Sequence, residues 1–287
     1  FAILLPLSLL FDAATFITHN LTWVFALMGV PALASIIARL VGREGFADVS
    51  FRLGGVRGVR AFVFGLLPPI VIGLIAYGIA WTTGLAHFVV APHVYGSSLL
   101  VNMPQPPAVK FALELLLAAT LGSIGTLTPL FVAGEELGWR GYMLTRLVDA
   151  RIPHPVLVSG LIWSLWHVPL ILTGSYATGA SALSPLVSVI VFLFTLTPFA
   201  YIIGRLRLAT GSVWPAIAVH TAWNITIQGV FDRSTTGPQA LLWTGESGIL
   251  VALTVLVVAI ILSLGPWTMI RQLPRRGEPV EREAIYP

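Results

Sequence analysis

The chain has 287 residues, 56% of them hydrophobic and only 10% charged, with a mean hydropathy of +0.90. Soluble domains carry about a quarter charged residues, so composition excludes an ordinary water-soluble domain. The total lack of cysteine removes disulfides, thiolate catalysis and cysteine-based zinc sites.

Long apolar runs broken by Gly and Pro predict an all-α polytopic membrane protein, a bundle of about eight transmembrane helices. Strict alternation of apolar and polar residues is weak, which argues against an outer-membrane barrel. The sequence opens on Phe1, and residues 1–11 resemble a signal-peptide core without a basic leader. The expectation is that an N-terminal piece precedes them and that 1–17 form a first span. Further spans are expected at 21–41, 61–81, 108–134, 155–174, 183–204, 211–230 and 246–270. The basic connection 42–60 should lie along the membrane surface, and the connection 82–107 is rich in Pro and Gly. Residues 1–270 then make one transmembrane domain, and the polar tail 271–287 lies in the cytoplasm. No internal repeat is visible, so a transporter built from inverted repeats gains no support.

Parity along eight spans puts Arg39, Arg43, Arg52, Arg57, Arg60, Arg140, Arg146, Arg151, Arg205, Arg207 and the four arginines of the tail on one face. Only Lys110 and Arg233 fall opposite. The positive-inside rule therefore places both termini in the cytoplasm of an integral multi-pass protein, read as belonging to a prokaryotic cell membrane. The net charge of +4 does not signal nucleic acid, because these residues cluster at span ends and form no basic face.

Three short polar clusters interrupt the apolar spans. The first is Gly134-Glu-Glu-Leu-Gly-Trp-Arg140, the second Trp163-Ser-Leu-Trp-His167, the third His220-Thr-Ala-Trp-Asn224. Ionisable groups inside a span are costly and mark functional sites by default. Glu136 and Arg140 are four apart on one helical face and should pair. Glu135 is turned about 100° away, is less compensated, and suits general-base work. The bland alternative is an interfacial charge cluster. His167 follows Trp163 by four, so the indole can flank the imidazole; a lone membrane histidine also serves as interhelical glue. His220 and Asn224 share a face and offer donors toward one point, as an oxyanion hole needs, or else form a satisfied polar pair. Counted from the arginine-rich side, the histidines lie about 14–18 Å deep, which suggests a centre reached from the cytoplasm. Glu114, near the outer end of its span, is expected to snorkel to the surface.

A Gly-x-Ser-x-Gly elbow, an intramembrane Asp pair and His-Glu-x-x-His are all missing. Zinc on Glu135, His167 and His220 is a lesser alternative, since Asn224 is a poor ligand and a good donor. No cofactor is expected.

The order Glu-Glu-x-x-x-Arg, aromatic-x-x-x-His, His-x-x-x-Asn resembles the CPBP family of membrane proteases. This is the Abi or type II CAAX-protease family, which includes the Ras-converting prenyl endopeptidases. The likeness covers roughly 108–230. It implies that Glu135 activates the hydrolytic water with His167 assisting, while His220 and Asn224 hold the oxyanion. Glu136 and Arg140 fill the remaining motif positions, and Trp163 stands where the family commonly has Phe. The implied activity is an intramembrane endopeptidase acting near the cytoplasmic surface on a peptide or lipidated peptide, such as the C-terminal tripeptide of a prenylated CAAX tail. Two other classes are carried: a non-proteolytic scaffold or bacteriocin-immunity protein of the same fold, and a proton-coupled transporter using Glu135 and His167.

Overall fold

A computed structural model describes residues 1–53, 55–90, 104–176 and 184–264. The tail expected over 271–287 and the end of the last expected span lie outside the described residues. The described chain is helical apart from one antiparallel pair, His87–Phe88 with Thr235–Thr236.

Among the described residues four helices are long and apolar enough to cross a membrane: Thr22–Gly42, Gly58–Thr83, Pro155–Leu172 and Pro185–Thr210. Leu4–Thr18 and Ile249–Leu264 are shorter apolar helices. We call Leu4–Thr18 α1, Thr22–Gly42 α2, Gly55–Gly65 α3, Leu67–Thr83 α4 and Pro107–Leu117 α5. Then come α6 (Thr128–Gly138), α7 (Leu144–Asp149), α8 (Pro155–Trp166), α9 (Val168–Leu172), α10 (Pro185–Thr210) and α11 (Trp214–Trp223). Most of these carry proline in the first turn, where its missing N–H would have no partner anyway. The turn from α10 to α11 uses Gly211 in the left-handed region (φ 63°), which lets the chain reverse within four residues.

The span expected over 108–134 is two helical pieces. After α5 the helix continues through a wider i→i+5 turn at Ala118–Gly122 and ends at Gly125. Thr126 is extended (ψ 172°), and α6 begins afresh at Thr128 with Pro129 in its first turn. Continuous hydropathy hid the break, because both pieces are apolar. The span 211–230 likewise changes character, passing from α11 into an i→i+5 segment at Asn224–Phe231. Glu114 does not reach the surface: it is buried, and neither carboxylate oxygen has a partner among the described residues.

Helices α2 and α6 run side by side in the same direction. Phe25 meets Phe131 with ring centroids 4.7 Å apart, and Gly134 faces the Met28 carbonyl. Gly138 faces Pro31. A Cβ on Gly138 would lie 2.4 Å from the Pro31 Cβ, so this small-x-x-x-small stripe sets how closely the helices approach.

The bundle has two unlike ends. At one, the turn Ala47–Val49 gathers arginines from three helices. Arg39 pairs with the Asp48 carboxylate, Arg146 lies 3.0 Å from it, and Arg207 donates to the Asp48 carbonyl at 2.8 Å. Burial pushes the Asp48 carboxyl up, but the Arg39 hydrogen bond and the charges of Arg39 and Arg146 outweigh it, so the group is held below the usual range. At the other end, Tyr77 donates to Asp232 and accepts from the Gly245 N–H.

Candidate functional site

Glu135 and Glu136 occupy the last turn of α6, and their neighbours in sequence point to different partners. Glu136 is fully buried. Its Oε1 accepts from the Arg140 guanidinium and from His220 Nδ1, both at 2.8 Å. The Arg140 contact is the i,i+4 pair that spacing foretells, and it spans the start of an i→i+5 turn, Trp139–Met143. The contact to His220 joins α6 to α11 and has no signature in spacing.

Glu135, turned to the other side, accepts from the Trp163 indole N–H at 2.7 Å. Trp163 does more than flank His167. Its ring centroid lies 5.7 Å from His167 and 5.0 Å from His220, and the Arg140 guanidinium carbon sits 4.2 Å above it. One side chain therefore touches the acid, both imidazoles and the cation. The guanidinium over the indole face is a favourable cation–π arrangement.

His167 sits at the joint between α8 and α9. Pro169 supplies no N–H, and here the helix tightens, with the His167 N–H bonding to Ser164. The Trp163 carbonyl is thereby left to accept from His167 Nδ1 at 2.9 Å. Both histidines thus spend Nδ1 on a fixed acceptor, leaving Nε2 as the nitrogen able to address a substrate. A neutral ring so held presents Nε2 as an acceptor, whereas an imidazolium presents it as a donor.

Glu135, Trp163, His167, His220 and Asn224 line one cavity of about 430 Å³. Its volume is in the range of small-molecule and peptide sites. Asn224 opens the i→i+5 segment after α11, a distortion found often at functional positions. Glu136 and Arg140 stand behind this wall. Sequence reasoning passed over Glu246, Tyr176 and Gln228, which also line the cavity. Tyr176 and Trp223 both donate to Glu246, and Gln228 donates to Tyr176 at 3.0 Å. Glu246, placed near a span end, gave no signal beyond being acidic.

The expected access from the arginine-rich side does not match the lining. Glu135 is seven residues from the start of α6 at Thr128, about 10 Å along the axis, and the arginine-rich end lies the other way. The cavity runs toward Leu21, Thr128, Ser175 and Arg233, at the opposite end. Glu135 does not lie at the end of its span as expected from a boundary at 134, because α6 and its continuation run on to Asp149.

Among the described residues no group of three or more His, Cys, Asp or Glu side chains is arranged to hold a metal ion. Glu135, His167 and His220 face one cavity without forming such a group.

A search of curated proteins gave no match. A family model described as Type II CAAX prenyl endopeptidase Rce1-like matches residues 108–226, the stretch that carries all three polar clusters. Over that stretch, from α5 to the turn after α11, the chain is similar to the Rce1-like family of type II CAAX prenyl endopeptidases.

Proposed function

We propose that the protein is an intramembrane endopeptidase in which Glu135 removes a proton from a water molecule as its oxygen adds to the scissile carbonyl. His167 assists through Nε2. His220 and Asn224 donate to the oxyanion that forms, and the tetrahedral intermediate collapses as the proton passes to the leaving amine. Glu136 and Arg140 support the centre without touching the reacting atoms. In this scheme His220 donates to the oxyanion as an imidazolium, since its Nδ1 proton is already given to Glu136. Two carboxylates, one guanidinium and one imidazolium then balance in charge.

The observation that carries this reading is the single cavity bordered by Glu135, His167, His220 and Asn224. The match to the Rce1-like family model supports a CAAX-type protease in general, and a prenylated C-terminal tail is the substrate that its description suggests. The proposed architecture is one transmembrane unit over 1–270 that crosses the bilayer eight times, with its working core in 108–230 and both termini in the cytoplasm.

Glu135→Gln keeps the side chain's shape and removes the base, so turnover should fall by ~10²–10⁴. Mass spectrometry of products from prenylated and unprenylated peptides reads both the activity and the need for lipid. Cleavage by Glu135→Gln at the wild-type rate refutes the assignment. The proposed chemistry uses no metal, so activity should survive strong chelation; stoichiometric zinc lost together with activity would overturn that part.

A further inference from the structure

The arginine-rich end of the bundle is sealed. Between Glu136 and that end lie Arg140, Leu144 and Thr145 of the α6–α7 strip, with Val213 and Ala216 of the α11 region and Arg207 of α10, none more than 1% exposed. A second cavity of about 480 Å³ exists at that end, lined by residues such as Pro31, Trp139, Tyr142 and Arg146. It shares no lining residue with the cavity that holds Glu135.

The cavity holding Glu135 extends the other way. Its rim is half apolar, with Leu21 and Phe25 from the start of α2. The other half is polar, with Ser175, Gln228 and Arg233. Arg233 is exposed and has no hydrogen-bond or ion-pair partner among the described residues. A rim of this kind suits a peptide lying at a membrane surface, one side in lipid and the other in water.

The sides of the membrane follow from charge. Among the described residues, Arg39, Arg146 and Arg207 meet around Asp48 at the sealed end, with Arg52 beside the Phe51–Trp214 contact, whereas Arg233 lines the open end and Lys110 neighbours it through Phe111, which packs on Phe231. Positive charge is retained in the cytoplasm. We therefore propose that this cavity takes its substrate from the non-cytoplasmic side of the membrane. The substrate class would be a peptide segment exposed at the outer leaflet, such as part of an exported or outer-leaflet-anchored polypeptide, in place of the prenylated tail that the family description suggests. The word substrate rests on the peptidase reading; the direction of opening does not.

These 287 residues contain no cysteine, so a single cysteine introduced among them reports without background from them. Ser175→Cys places a thiol at the cavity rim with almost no change of shape, and Arg233→Cys places one at its exposed edge. Arg52→Cys, on an exposed residue of the sealed end, serves as the counterpart. Intact cells are treated with a membrane-impermeant maleimide before and after permeabilisation. Ser175→Cys and Arg233→Cys should react in intact cells, and Arg52→Cys only after permeabilisation. The reverse pattern, or rim thiols that react only after permeabilisation or not at all, overturns the proposal. A second arm adds test peptide to sealed vesicles of known orientation. Right-side-out vesicles should cleave it at least tenfold faster than inside-out ones, and the opposite ratio overturns the proposal. Labelling does not depend on turnover, so a wild-type rate in Glu135→Gln would remove the peptidase reading and leave the topology standing.

Discussion

Replacing Glu136 should damage the fold, whereas replacing its neighbour Glu135 should damage only the chemistry. Glu136 Oε1 serves both Arg140 and His220 at 2.8 Å, and the side chains of Glu136 and Arg140 are at most 1% exposed. Glu136→Gln keeps the volume and one acceptor oxygen but leaves the Arg140 charge buried without a counter-ion. Removing one partner of a buried pair costs about 3–5 kcal/mol. The weakened hold on His220 belongs to the same network, so its loss is not added to that figure. Among the described residues Glu135 accepts from one donor, the Trp163 indole, and a glutamine carbonyl accepts equally from it. Glu135→Gln should therefore cost about 1 kcal/mol or less, the scale of one ordinary hydrogen bond. Denaturant unfolding in detergent, followed by tryptophan fluorescence, should separate the two variants by ~2 kcal/mol or more. A further variant isolates the cause: Glu136→Gln with Arg140→Met removes both charges and should recover part of the loss. If Glu136→Gln unfolds with the wild-type midpoint, or the two single variants shift equally, the supporting role of the Glu136 ion pair is wrong.

Three other outcomes follow from the packing. Gly138→Ala puts a methyl 2.4 Å from the Pro31 Cβ and 2.6 Å from its carbonyl oxygen, neither of which can swing away. Overpacking of this kind costs about 1–3 kcal/mol, and an unfolding midpoint equal to wild type would show that α2 and α6 are not locked there. Trp163→Phe restores the residue common at this motif position but deletes the donor to Glu135. A hydrogen bond to a charged group is worth about 1.5–3 kcal/mol, and unchanged unfolding would deny the indole its role as organiser. Acid should loosen the arginine-rich end through Asp48. Its carboxyl is held low by Arg39 and Arg146 against the opposing effect of burial, so its stabilising contribution is present above the ordinary Asp range near pH 4. That contribution is lost as pH falls through the lowered value. Asp48→Asn should flatten the acid limb of the stability profile below the ordinary Asp range near pH 4, and a limb identical to wild type would assign the acid sensitivity elsewhere.

Much of the architecture was legible because bilayer chemistry is blunt. Apolar runs, prolines at helix starts and the lopsided arginines suffice for an all-helical membrane chain. The Glu136–Arg140 contact follows from i,i+4 spacing. What escaped were contacts between helices. No rule of spacing tells that the Trp163 N–H reaches Glu135, or that His220 shares the oxygen Arg140 uses. Two misses had signals. Gly125-Thr-Leu-Thr-Pro129 holds a stop followed by a proline start, and it marks the break at Thr126. Gly134-x-x-x-Gly138 is a close-approach stripe, overlooked because the two glutamates between the glycines drew the attention.

That overlap accounts for the placement of the site. A helix pair in lipid gains closeness only from small residues, and Gly134 and Gly138 bring the backbone of α6 against α2. The residues between the glycines must then project to the flanks of the contact, and adjacent positions diverge by about 100°. One carboxylate is thus sent toward the cavity and Trp163, the other toward His220 and Arg140. A single turn of helix holds both an acid that faces the cavity and an acid committed to neutralising a buried cation. Moving either glutamate by one residue would turn its side chain by about 100°, away from the partner it meets here.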